Sequence, residues 1–151
     1  MRTVTPPTYD DAMLLLRLYE LRREERLRAA REWFNSRFFP RSFEDVQPIL
    51  RGTGDENTHY RMVTSYWDMA ASFVAQGVLH PELFFSSGGE SLFVWAKLQP
   101  FIEPMRAEQS PRLLANLEKA IAMVPWASGR VGVIQGRLPA MRERLLKGSP
   151  A

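Results

Sequence analysis

Between Thr8 and Phe39 the chain carries no proline or glycine, and leucine, arginine, glutamate and alanine dominate. These residues favour helix, so the stretch predicts one long N-terminal helix. Thr8 followed by Asp11 fits a capping box at its start. Pro40 ends it, because the residue before a proline avoids helical torsions. The apolar positions fall into two stripes. Leu14, Leu15, Leu18 and Leu21 form the first. Leu27, Ala30, Phe34 and Phe38 form the second, at intervals of 3, 4 and 4, with Trp33 beside them. The run Arg22-Arg23-Glu24-Glu25-Arg26 separates them and leaves no apolar side. At about 100° per residue, an unbroken helix sets Leu14 and Leu27 about 220° apart. The two stripes then cannot share a face. Residues 27–38 are expected in the core. Leu14, Leu15, Leu18 and Leu21 are expected either to be wrapped by other helices of the chain or to contact a second copy.

Ser42 and Asp45 open a short helix over about 43–50, interrupted by Pro48. The next helix, about 57–76, shows Tyr60, Val63, Trp67, Ala70 and Val74 at intervals of 3, 4, 3 and 4. Met62, Tyr66, Met69 and Phe73 add an adjacent stripe. So wide an apolar arc predicts a central helix with several neighbours, and Gly77 suits its left-handed cap. Pro81 starts a short helix to about Phe85, and Glu90 to Gln99 forms another with Leu92 and Trp95 inward. Pro100 and Pro104 bend or break the helix before it reaches Arg106. Ser110-Pro111 is a start signal for a helix to about Val124. Beyond Pro125, three glycines within residues 128–136 predict an irregular or mobile tail over 125–151, with a helical turn or two at 140–147. The pattern as a whole is all-α: an irregular bundle of five to seven helices with a long N-terminal helix, in one domain over residues 1–151.

Composition narrows the function classes. With 151 residues, 45% of them hydrophobic, the chain can bury a core without a metal or disulfide staple. It has no cysteine, which excludes disulfides, a thiol nucleophile and cysteine-ligated zinc. The net charge of +3 is unevenly spread: +3 over residues 1–41, −4 over 42–124 and +4 over 125–151. The first basic segment interleaves arginine with glutamate, so a nucleic-acid face is not favoured. No apolar run approaches the ~18 residues of a membrane span, and the N-terminus lacks the pattern of a signal peptide. A cytoplasmic location is expected.

Candidate chemistry is sparse. The two histidines, His59 and His80, have no metal-ligand spacing. There is no Gly-x-Ser-x-Gly elbow, and the paired acids sit at helix starts or in the charged run. No catalytic, cofactor-binding or metal-binding residue is assigned, and no cofactor is expected. The leading reading is a non-enzymatic interaction or scaffold module, a homo-oligomer or a binder of another protein through Leu14, Leu15, Leu18 and Leu21. The alternative is a small-molecule-binding or enzymatic bundle whose inter-helix pocket uses Trp67, Trp95 and Arg106, the arginine clamping a carboxylate.

Tyr60-Arg61-Met62-Val63, Tyr66-Trp67, Gly77, Trp95 with Pro100 and Arg106, and Leu117-Glu118 together resemble bacterial helical families described only as domains of unknown function. The resemblance spans about residues 60–118. It implies a helical bundle and a bacterial source, and it carries no catalytic residues to transfer.

Overall fold

The charged run at 22–26 does not continue a helix; it divides one. The computed structural model describes residues 5–147, and its first two helices are α1 (Tyr9–Leu21) and α2 (Glu25–Ser36). Arg22 is still helical, but Glu24 turns extended, with φ −57° and ψ 140°. Its carboxylate accepts the backbone N–H of Leu27 at 3.0 Å and so caps the new helix. The single long helix is therefore replaced by two, and the phase offset between the leucine and phenylalanine stripes disappears with it. Leu18 joins Leu27, Ala30 and Phe34 in one continuous core. The start is as the sequence predicts: Thr8 Oγ1 accepts Asp11 N–H at 3.2 Å, and the Asp11 carboxylate accepts Thr8 N–H at 2.7 Å.

The remaining helices are α3 (Phe43–Arg51), α4 (Asp55–Ala75), α5 (Pro81–Ser86), α6 (Glu90–Leu98), α7 (Ile102–Glu108), α8 (Ala115–Ala122) and α9 (Pro125–Lys147). A single 3-10 turn, Gln99–Phe101, sits at the proline break before α7. The helices outnumber the five to seven expected, and no strand forms among the described residues. Among the described residues, no helix is long and apolar enough to cross a membrane. The central helix is α4, as its wide apolar arc requires. It packs chiefly on α2 and α8, with α3 beside it, while α6 lies along α9. Gly77 ends α4 at φ 79°, a left-handed conformation that glycine adopts without strain. In contrast, α1 is not among the closely paired helices and leans on the bundle through long side chains.

Two departures from the sequence reading have physical causes. The start signal at Ser110-Pro111 gives turns, and helix α8 begins only at Ala115, after Leu114 in a left-handed conformation at φ 54°. Its first turn is capped from elsewhere. Asp68 of α4 accepts the Leu117 N–H and the Asn116 amide, each at 3.0 Å. The segment expected to be irregular, from Pro125, is the helix α9. Ala127, Val131 and Ile134 bury one face of it, and half-buried Leu138 continues that face against the core. The apolar burial outweighs the roughly 1 kcal/mol that each glycine costs a helix. Gly129, Gly132 and Gly136 all lie on the exposed side.

Among the described residues, one basic side chain is built into the core. Lys97, in the apolar helix α6, is only 3% exposed. Its Nζ donates to the Phe34 carbonyl and, at 2.6 Å, to the Phe38 carbonyl. Helix α2 leaves that end unpaired, because Arg37 N–H and Phe38 N–H both turn to the Trp33 carbonyl. The rings of Phe39 and Phe93 lie 3.7 and 4.5 Å from Nζ. Burial holds the amine's pKa down to about 6. Arg31 ties the same two helices, with its guanidinium on Glu90 at 2.9–3.1 Å and Asn35 adding a bond to Glu90 at 2.7 Å.

Two outcomes are expected. A Cβ at Gly132 or Gly136 meets nothing within 4 Å, so Gly132→Ala and Gly136→Ala should each stabilise the fold by about 0.5–1 kcal/mol in urea unfolding. Lys97 keeps its proton only below about 6 when folded, against 10.5 when free. Between those values the unfolded chain binds more protons, so stability should rise with pH from 6 to about 9, by up to about 1.4 kcal/mol per unit. Above pH 10 it should fall again. Burial raises the Tyr60 hydroxyl, and pushes that of Tyr66 up to about 12, so both ionise more readily in the unfolded chain. Lys97→Met should flatten the rise, and a flat wild-type profile from pH 6 to 9 would contradict this account.

Candidate functional site

Because α1 stands off from the bundle, a gap remains under it. Leu15, Leu16, Leu18 and Tyr19 of α1 form the roof, with Arg22 at its C-terminal cap. Tyr66 and Trp67 of α4, Phe84 of α5 and the Ser87-Gly88 turn form the floor and side. The cavity has a volume of about 180 Å³. Aromatic rings shape it: Trp67 meets Tyr66 edge-on at 5.0 Å and Phe84 at 6.4 Å between centroids. The Tyr66 hydroxyl donates to the Leu18 carbonyl and so fixes the height of α1 above α4.

Two polar groups at this cavity lack protein partners among the described residues. Trp67 is 4% exposed, and its indole N–H meets no acceptor there. A buried donor without a partner costs about 1–3 kcal/mol and calls for a specific reason. The Arg22 guanidinium stacks 4.7 Å from the Tyr19 ring centroid and 5.7 Å from that of Trp67. Among the described residues no carboxylate lies within ion-pair reach of it. The arrangement is an apolar chamber walled in part by the Trp67 ring, whose indole N–H is buried without an acceptor among the described residues, with one cation over it. Chemically it suits an acceptor-bearing organic molecule. Among the described residues its lining contains no histidine, cysteine or carboxylate.

The sequence candidates are distributed unevenly over this geometry. Leu15, Leu18 and Trp67 come together at the cavity. Leu14 is half-buried against the core, and Leu21 is 43% exposed, so the four leucines do not share one surface. Trp95 is buried within α6 and does not line the cavity. Arg106 is used elsewhere: its Nε donates to the Leu113 carbonyl at 3.0 Å and its Nη2 reaches Glu118 at 3.3 Å, which anchors the turn before α8. Trp67, Trp95 and Arg106 therefore do not form the pocket expected of them. His80 caps α5. Its Nδ1 accepts the Leu83 N–H at 3.3 Å, which leaves the proton on Nε2 to bond the Thr5 carbonyl at 2.7 Å. His59 packs its ring 5.8 Å from Trp33.

Sequence reasoning missed Tyr19, Arg22, Tyr66 and Phe84 as site residues. Tyr66 carried a signal, since it belongs to the second apolar stripe of α4 and is a polar-tipped aromatic that needs a partner when buried. Arg22 carried none; within a run of five charges nothing distinguishes it.

A family model of a domain of unknown function (DUF4760) matches residues 7–124, a wider span than the 60–118 over which the sequence motifs resemble such families. No curated protein and no solved structure matches the chain.

Proposed function

The chain belongs to the DUF4760 family, a domain of unknown function, and from that premise we propose that it is a small-molecule-binding helical module whose ligand lies beneath α1. The ligand is a small carboxylate with an aromatic or branched apolar body. The observation that carries the reading is the Trp67 ring in the wall of a cavity, with its buried indole N–H lacking an acceptor among the described residues. The size supports it: about 180 Å³ is close to the roughly 150 Å³ of an apolar cavity that admits benzene. The cation supports it as well. Arg22 lies over two rings, so a carboxylate there gains a charge-assisted bond at little cost in side-chain ordering.

Calorimetry with benzoate, isovalerate and benzyl alcohol tests this. Benzoate should bind measurably, benzyl alcohol less tightly. Arg22→Gln should weaken benzoate about tenfold, and Trp67→Phe severalfold, since one charged and one neutral hydrogen bond are lost respectively. No heat from either acid up to about 10 mM, or equal binding by both variants, would sink the proposal.

A second reading, the interaction module, has its own observation. At about 100° per residue Tyr9 and Met13 fall on the side of α1 opposite Leu18, and both are exposed. This outer face, rather than Leu14 and Leu18, is the surface a second copy would cover. Sedimentation equilibrium of the wild type should then report a dimer that Tyr9→Glu/Met13→Glu converts to monomer. A wild-type monomer at about 100 μM removes this reading.

A further inference from the structure

A second cleft, of about 470 Å³, opens on another part of the molecule, where the connector from α2 to α3 meets α6 and α9. Its apolar walls are Phe39 and Pro40 on one side and Leu138 on the other, and its polar groups include Arg41, Lys97 and Arg142. Among the described residues, no aspartate or glutamate lines it. We propose that this cleft binds a phosphate monoester, with the phosphoryl group between the guanidiniums of Arg41 and Arg142 and a compact apolar group against the Phe39–Pro40 and Leu138 walls. The site is separate from the cavity under α1 and does not depend on the function proposed for it.

Three features favour that ligand. Arg142 is positioned rather than loose: its Nε donates to the Phe39 carbonyl at 3.2 Å. Its two terminal amino groups then hold no protein partner among the described residues, and they present the fork that matches two oxygens of an oxyanion. The Arg41 guanidinium is likewise unpaired among the described residues. Asp45, close by in sequence, bonds the Arg41 backbone N–H at 2.8 Å and not its side chain. The third feature is the floor. Lys97 brings a further basic group below the arginines, although its donors are held by the Phe34 and Phe38 carbonyls. Two guanidiniums in a cleft lined by no carboxylate among the described residues supply more positive charge than a single carboxylate needs, and a dianionic phosphoryl group is the better match. Arg41 and Arg142 remain charged at any working pH, so the field does not rest on the lysine.

The two sides of the cleft come from distant parts of the chain. Pro139 also lines it and, lacking an N–H, leaves the helical ladder of α9 open at that level. Arg142 and Leu138 lie beyond residue 124, where the family match ends, so this site is assembled partly from the segment outside that match.

Calorimetry with phenyl phosphate on the full chain tests the assignment, with inorganic phosphate and phenylacetate as comparison probes. Phenyl phosphate should bind, and Arg41→Gln/Arg142→Gln should weaken it at least tenfold while thermal melts show the variant folded. Arg142→Lys, which keeps the charge and loses the fork, should fall between them and guards against misfolding of the double variant. Arg22→Gln, in the other cavity, should leave phenyl phosphate binding unchanged. The proposal is overturned by no binding up to about 5 mM, by undiminished binding in the double variant, or by loss in Arg22→Gln. Equal affinity for inorganic phosphate would mean an adventitious ion only, and tighter binding of phenylacetate would assign the cleft to carboxylates instead.

Discussion

A buried lysine amine holds the C-terminal end of one helix against the last turn of another, and the rest of the bundle is arranged around that contact. Helix α2 ends in a tight turn in which two successive N–H groups converge on the Trp33 carbonyl. The Phe34 and Phe38 carbonyls would be left buried without donors, each at a cost comparable to a lost hydrogen bond. Lys97 supplies both bonds from α6. Desolvation disfavours its charge, and burial accordingly lowers its pKa toward neutrality. The contact fixes the separation of α2 and α6, and the Arg31–Glu90 pair fixes their rotation. Helix α9 can then lie on α6, and the cleft above Lys97 results from that placement.

The same logic recurs at other helix ends. Asp68 on α4 caps α8, Arg106 on α7 closes the turn before it, and Asp11 of the α1 capping box also accepts the His80 N–H at 2.9 Å. These are long-range caps. Each satisfies an orphan backbone group and joins two elements with one side chain. They hold short helices such as α5 and α8 in place, where intrinsic propensity alone would leave them marginal.

Helix α1 is the exception to close packing, and both functional readings arise from it. Its inner face reaches the core mainly through Leu18, and the Tyr66 hydroxyl sets its distance. The space left beneath is lined by aromatic rings with one donor unpaired. Its outer face carries Tyr9 and Met13 to solvent. A helix held at arm's length offers both a chamber and a surface; which of them is used is a question of chemistry rather than of packing.

The sequence pattern by itself determined the helical class, the central place of α4, the capping box at Thr8, the left-handed Gly77 and the break at Pro100, whereas Pro48 and Pro104, also expected to interrupt helices, lie inside α3 and α7. All of these are local properties: the torsional preference of a residue or the phase of side chains along a few turns. Periodicity also located Leu15, Leu18 and Trp67 without revealing that they share a cavity. The tertiary structure decided the rest. It split the first helix at Glu24, because burying both apolar stripes in one core is worth more than continuing the backbone ladder through five charges. It made a helix of the glycine-bearing segment from Pro125, because α6 and α8 offer its apolar face a place to bury. It moved Arg106 out of the expected pocket to a carbonyl that needed a donor, and it drew Tyr66, Arg22 and Phe84 into one that the sequence did not mark. A residue's partner across the fold is set by where backbone groups are left unpaired, and that is known only once the helices have been placed.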